Sequence, residues 1–181
     1  MDSTVVERAR NGDRESYEQL AREAAHRLYP VAFRILRDGD LADEAVQRAL
    51  VAIWKELPKL RDSSKFEAWS YRVLIRFCGD EIRQRGRSSH NVTELMLAGS
   101  SSDRQEDVAD RDQLERAFQR LSADHRAVIV LTYYRGLSGA EVAAALGVAP
   151  GTVASRLHHA LRGMRALLEA DGREPAIEAG S

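Results

Sequence analysis

Cysteine is almost missing from this chain of 181 residues: only Cys78 is present, so no internal disulfide and no cysteine-rich zinc site can form. Proline and glycine are sparse, at 4 and 12. No alternating β-branched run stands out, and an all-α fold is predicted. No uninterrupted apolar run of about 18 residues occurs, so no membrane span is expected. The N-terminus is acidic and polar and lacks the charged start and apolar core of a secretory signal, which points to a cytoplasmic protein. Gly-rich phosphate loops and nucleophile motifs are missing too. His26, His90, His125, His158 and His159 are scattered, none with a second ligand at metal spacing. Adjacent His158 and His159 should point to different sides of one helix. No catalytic activity, metal or cofactor is expected.

Basic excess is also lacking, since the net charge is −1. The charges are segregated, however, and overall charge then decides little. Arginines 72, 76, 83, 85 and 87 gather in one segment against Asp80 and Glu81, while residues 151–165 carry three arginines, two histidines and no acid. Acids collect between Asp103 and Glu115. Two separate basic helices suit two nucleic-acid contacts better than a general polyanion binder.

The most specific local pattern is SGAEVAAALGVAPGTVASRLHHALRGMR, Ser138 to Arg165. Ser138 with Glu141 three residues later predicts a capping box. Gly147 supplies a left-handed helix end, and Pro150 suits the first turn of the next helix. Ala143, Gly147, Val148 and Val153 are the small and branched residues that two steeply crossing helices require, so a helix-turn-helix is predicted. Its second helix should expose Thr152, Ser155, Arg156, His159 and Arg162, which suit phosphates and base edges. An ordinary helical hairpin in a core is the plainer alternative.

Two small helical domains joined by a flexible linker follow from the remaining punctuation: residues 1–86, a linker at 87–106, a domain at 107–170 and a tail at 171–181. Thr4 and Glu7 are a candidate capping box for a short helix ending at Asn11-Gly12. A longer helix from Arg14 to Leu36 should be kinked by Pro30. After an Asp38-Gly39-Asp40 turn, with Asp40 as N-cap, a third helix spans 41–57 with Ala45, Leu50, Ile53, Trp54 and Leu57 as apolar positions. A fourth spans 65–85. Ser-rich, Gly-punctuated sequence then breaks the periodicity, with one weak apolar turn at Leu95–Leu97. Helix resumes over 107–121, and Ser122 caps another that ends near Gly136. Leu114, Phe118, Leu121, Val128, Ile129 and Leu131 should form the second core.

The fourth helix, KFEAWSYRVLIRFCGDEIRQR, mixes Trp69 and Tyr71 with Arg72 and Arg76. Rings that stack on unpaired bases and guanidinium groups that hold phosphates are the chemistry of single-stranded DNA. Burial of Phe66 and Trp69 beside merely solvated arginines is the competing reading.

Taken in order, DEAVQRALVAIWK (Asp43–Lys55), FEAWSYRVLIRFCGDEIR, a linker, and LSADHRAVIVLTYYRGLSGAEVAAALGVAPGTVASRLHHAL resemble the extracytoplasmic-function sigma factors, two-domain initiation factors of bacterial RNA polymerase. The resemblance runs from about Tyr17 to Leu168. It implies that Glu44, Gln47, Leu50 and Trp54 dock on core polymerase. It implies that Trp69, Tyr71, Arg72, Arg76 and Asp80 open and read the −10 promoter element. Thr152, Ser155, Arg156 and His159 would read the −35 element, and an anti-sigma factor would be a further partner. Arg76 stands where the family usually has asparagine, Arg48 where an acid is usual, Ala154 where lysine is common and His159 where arginine is common. A two-domain regulator binding duplex operator DNA as a dimer is the alternative function.

Overall fold

In a computed structural model, residues 2–88 and 105–171 are described. They form eight α-helices: α1 Ser3–Arg10, α2 Arg14–Leu36, α3 Gly39–Glu56, α4 Phe66–Ser88, α5 Gln105–Gln119, α6 Ala123–Ile129, α7 Gly139–Leu146 and α8 Pro150–Asp171. No strand occurs among the described residues. Most of the expected linker and tail lies outside them, as does the apolar turn at Leu95–Leu97.

Local chemistry sets the ends, not always as expected. Asp2, not a Thr4–Glu7 box, caps α1 by accepting from the Thr4 amide at 2.9 Å. Glu7 instead accepts from Ser63 Oγ at 2.9 Å. Asp38, not Asp40, caps α3 through the Leu41 amide at 3.1 Å. Each cap lies earlier than expected because the more N-terminal aspartate already occupies the extended conformation that lets its carboxylate turn back. Between α2 and α3 the chain reverses at Arg37, whose φ of 62° is the one positive value at a non-glycine residue described. Helix α2 passes through Pro30 unbroken.

Helices α1 to α4 enclose a core of Leu20, Leu28, Val31, Ile35, Ile53, Phe66 and Leu74. Burying a side chain of this size contributes about 1.5–3 kcal/mol. Trp54, one of the apolar positions of α3, is 45% exposed and lies outside that core. In the C-terminal group Val128 and Leu131 are fully buried. Leu114 is corrected, at 49% exposed, since the inner face of α5 at this level is taken by Ala117 and Phe118. The helix expected to run to Gly136 instead widens after Ile129 into a π-helical turn, Val130–Tyr134, closed by the Arg135 amide on Val130 O at 3.0 Å. The wider turn re-phases the chain, exposing Tyr133 and Tyr134 while Arg135 engages α4.

The two groups pack together, chiefly α4 on α7 with further contact from α6 to α2. Arg135 Nη2 pairs with Glu67 Oε1 at 2.9 Å, and Arg27 Nη1 reaches Glu67 Oε2 at 3.4 Å. Arg126 Nε donates to Ile35 O at 2.8 Å. Arg37 pairs with Glu115. One continuous core runs from α1 to α8.

Candidate nucleic-acid and polymerase interfaces

Helix α3 has two differently used sides. Ala42, Ala45, Val46, Ala49 and Ile53 are buried, whereas Glu44 and Gln47 are exposed and Leu50 is half-buried. Trp54 is held from below by Tyr17, whose ring meets it edge-on with centroids 4.2 Å apart. Tyr17 in turn donates its hydroxyl to Leu50 O at 3.0 Å, and burial raises its pKa. Tyr17, Leu50, Val51 and Trp54 line an open cleft of ≈ 650 Å³. A propped, solvent-facing indole beside polar side chains is the composition of a protein-docking surface. The four residues expected to dock on polymerase therefore lie on one stretch of α3, and Tyr17, which spacing did not single out, supports them from 33 residues away.

Helix α4 is more entangled. Arg72 is exposed and Trp69 half-buried, its ring 5.8 Å from that of Phe66. Tyr71 departs from expectation: the ring is fully buried, with the Arg135 guanidinium 5.4 Å from its centroid. Burial pushes its phenol up to about 12. A ring enclosed in this way offers no face for an unpaired base. Arg76 Nη2 pairs with Glu56 Oε1 at 3.1 Å. Asp80 pairs with Arg83 and lies 3.6 Å from Arg48 Nη2. Trp69, Arg72 and Arg76 line, with Ala145 and Leu146 of α7 and Gly147 just after it, a cleft of ≈ 600 Å³ between the two groups.

Helices α7 and α8 form the predicted helix-turn-helix. Ser138 and Glu141 make the full capping box. The Glu141 carboxylate accepts from Ser138 Oγ at 2.6 Å and from its amide at 2.8 Å, and these bonds lower its pKa. Gly147 ends α7 at φ 66°, where a Cβ would be strained, and Val142, Ala143 and Val153 seal the crossing. Ser155, His159 and Arg162 are exposed and Thr152 half-buried. Arg156 is less free than its spacing implied, because its Nη2 pairs with Asp124 at 3.0 Å. His158 and His159 do not diverge: both are exposed, and their rings meet edge-on at 5.7 Å. Among the described residues no group of three His, Cys, Asp or Glu could hold a metal, and no helix is long and apolar enough to cross a membrane.

A helical unit with an exposed indole on α3 beside the Trp69–Arg72 helix is thus followed by a helix-turn-helix. The family profile described as Sigma-70 region 2 matches residues 15–88, and that described as Sigma-70, region 4 matches residues 111–164. ECF RNA polymerase sigma factor SigL of Mycobacterium tuberculosis is 36% identical over 152 residues, covering 81% of this chain and 85% of its own. SigM of the same species is 31% identical over 157 residues, covering 87% and 79%. Among solved structures, the sigma factor RpoE in complex with the anti-sigma factor NepR, from Bartonella quintana, matches with a TM-score of 0.70 and 28% identity over 87% of this chain and 99% of that one. CnrH in complex with the cytosolic domain of CnrY matches at 0.68 and 26% over 94% and 98%. The chain belongs to the ECF group of the sigma-70 family, the factors that direct RNA polymerase to promoters.

Proposed function

We propose that the chain binds core RNA polymerase through Glu44, Gln47, Leu50 and Trp54 of α3. Trp69 and Arg72 of α4, joined by Arg76 and Asp80 once released from their ion pairs, open and read the −10 element. Thr152, Ser155, Arg156, His159 and Arg162 of α8 read the −35 element. The chain performs no chemistry itself and acts in the cytoplasm, with the two units divided as 1–86 and 107–170. An anti-sigma factor is its regulator, a reading supported by the similar structure of RpoE, which is a complex with the anti-sigma factor NepR.

The observation that carries this reading is the pairing, on one chain, of an exposed polar and basic face on α8 and a Trp69–Arg72 edge on α4 with a separate propped indole on α3. The indole serves protein contact, Trp69 beside Arg72 suits unpaired bases, and the α8 face suits a major groove. The test is run-off transcription from promoter fragments of the source genome by core polymerase, with and without the chain. Transcript only with the chain is expected. Gln47→Ala, at an exposed position, should lower polymerase affinity while leaving helicity intact. Nanomolar binding of the isolated chain to duplex promoter at physiological salt would overturn the reading in favour of an operator-binding regulator, since so small a basic footprint limits counterion release.

A further inference from the structure

Arg48 follows Gln47 on α3, lines the same open cleft as Glu44 and Gln47, and turns its guanidinium toward α4. Its Nη1 donates to Glu81 Oε1 at 2.5 Å, and its Nη2 lies 3.6 Å from Asp80 Oδ2, both carboxylates belonging to α4. Glu81 is 5% exposed, and no second cation pairs with it among the described residues. The Arg48 guanidinium also lies 4.8 Å from the centroid of Phe77, which Arg76 approaches at 4.9 Å. Two further ion pairs tie the same helices: Arg85 to Asp38 at 3.0 Å before the start of α3, and Arg76 to Glu56 at 3.1 Å at its end. Those two are solvated and contribute little. The central pair differs, because a buried carboxylate stripped of its counter-charge is strongly unfavourable.

We propose that Arg48 is a positioning residue. By gripping Asp80 and Glu81 together and lying against Phe77, it fixes the rotation of α4 against α3, so that polymerase docking delivers the Trp69 ring to the opening strand at one angle. Only arginine has the planar fork for two carboxylates and a ring; lysine is a single flexible point charge. This role presupposes the docking and opening assignments made above for α3 and α4.

The test uses the full chain with core polymerase and measures melting temperature, polymerase affinity and open-complex yield for Arg48→Gln and Arg48→Lys, each alone and combined with Trp69→Ala. Arg48→Gln should keep polymerase affinity within about threefold and lower open-complex yield about tenfold. In the Trp69→Ala background its effect should shrink below about twofold, because an aimed side chain that is already gone cannot be mis-aimed. Arg48→Lys keeps a charge beside Glu81 and thus the fold. It should lose about threefold in opening, again only when Trp69 is present. Full additivity with Trp69→Ala, a parallel loss of polymerase affinity, or wild-type opening by Arg48→Lys would each overturn the role. If Arg48→Gln fails to fold, the Arg48→Lys pair decides by the same criteria. Should the wild-type chain give no run-off product, the assignment of function fails first and takes this role with it.

Discussion

Helices α4 and α8 carry the two candidate DNA faces, and they are kept in opposite conditions. On α8 the face is nearly ready: Ser155, His159 and Arg162 stand in solvent, and only Arg156 is engaged, by a carboxylate that is 69% exposed. On α4 most of the face is occupied. Tyr71 is enclosed, Arg76 and Asp80 are held by side chains of α3 and α4, and α7 lies alongside. A duplex groove exists before polymerase acts, so its reader can be preformed. Unpaired bases exist only after strands separate, and a helix built to bind them can spend the interval in internal contacts.

The comparison breaks most severely at Tyr71. Replacing this buried ring with Ala should cost about 3–5 kcal/mol and lower the melting temperature, whereas a DNA-stacking ring would leave stability unchanged; a denaturant titration decides. The same ring sets an alkaline limit together with Cys78. Burial pushes the Cys78 thiol from 9.0 to about 12 and the Tyr71 phenol from 10.0 to about 12. The folded chain therefore keeps protons that the unfolded chain sheds. This contribution is intact below about pH 9 and disappears as pH rises through about 12. Urea midpoints measured from pH 8 to 11.5 should fall, beginning later in Cys78→Ala; a flat profile would contradict the burial of both groups.

A smaller effect sharpens the contrast between the helices. Trp69→Ala should cost about 1–3 kcal/mol on a template already melted at the downstream element, where stacking is available. Arg156→Ala should cost a similar amount, about 1–3 kcal/mol, on duplex carrying the upstream element and nothing on opening of the melted template. Equal defects for both variants on both templates would erase the division of labour. The smallest effect belongs to Asp124→Ala. Freeing Arg156 from an exposed pair should raise affinity for the upstream element by no more than about 0.2–1 kcal/mol, read by fluorescence anisotropy of the polymerase complex; a loss would mean that Asp124 orients Arg156 rather than restraining it.

The helix-turn-helix was legible because its determinants are local. Ser138 and Glu141 are three residues apart and Gly147 acts on its own backbone, so spacing alone places them. The bounds of α2 were legible for the same reason. What spacing could not give is long-range pairing. Glu67 joins Arg27 and Arg135 across 40 and 68 residues, and Arg48 meets Glu81 across 33. Each looks in sequence like a solvated charge. The burial of Tyr71 was hidden for a related reason: an aromatic residue at helical spacing can face either way, and which way depends on a helix elsewhere in the chain. The π-helical turn at Val130–Tyr134 left no compositional mark.

The contact of α4 with α7 also acts as a ruler. Promoter elements named −10 and −35 lie about 25 base pairs apart, roughly 85 Å along the duplex at about 3.4 Å per pair. Helices that touch cannot span that length, so the packed form can occupy one element at a time at most. Reading both requires the seam of Glu67, Arg135 and Arg126 to part, and apparent promoter affinity is divided by the fraction of molecules in which it has. An open fraction of about one in a hundred would weaken promoter capture about a hundredfold with no change in any DNA contact. Polymerase, by holding the two halves apart, would return that factor in full.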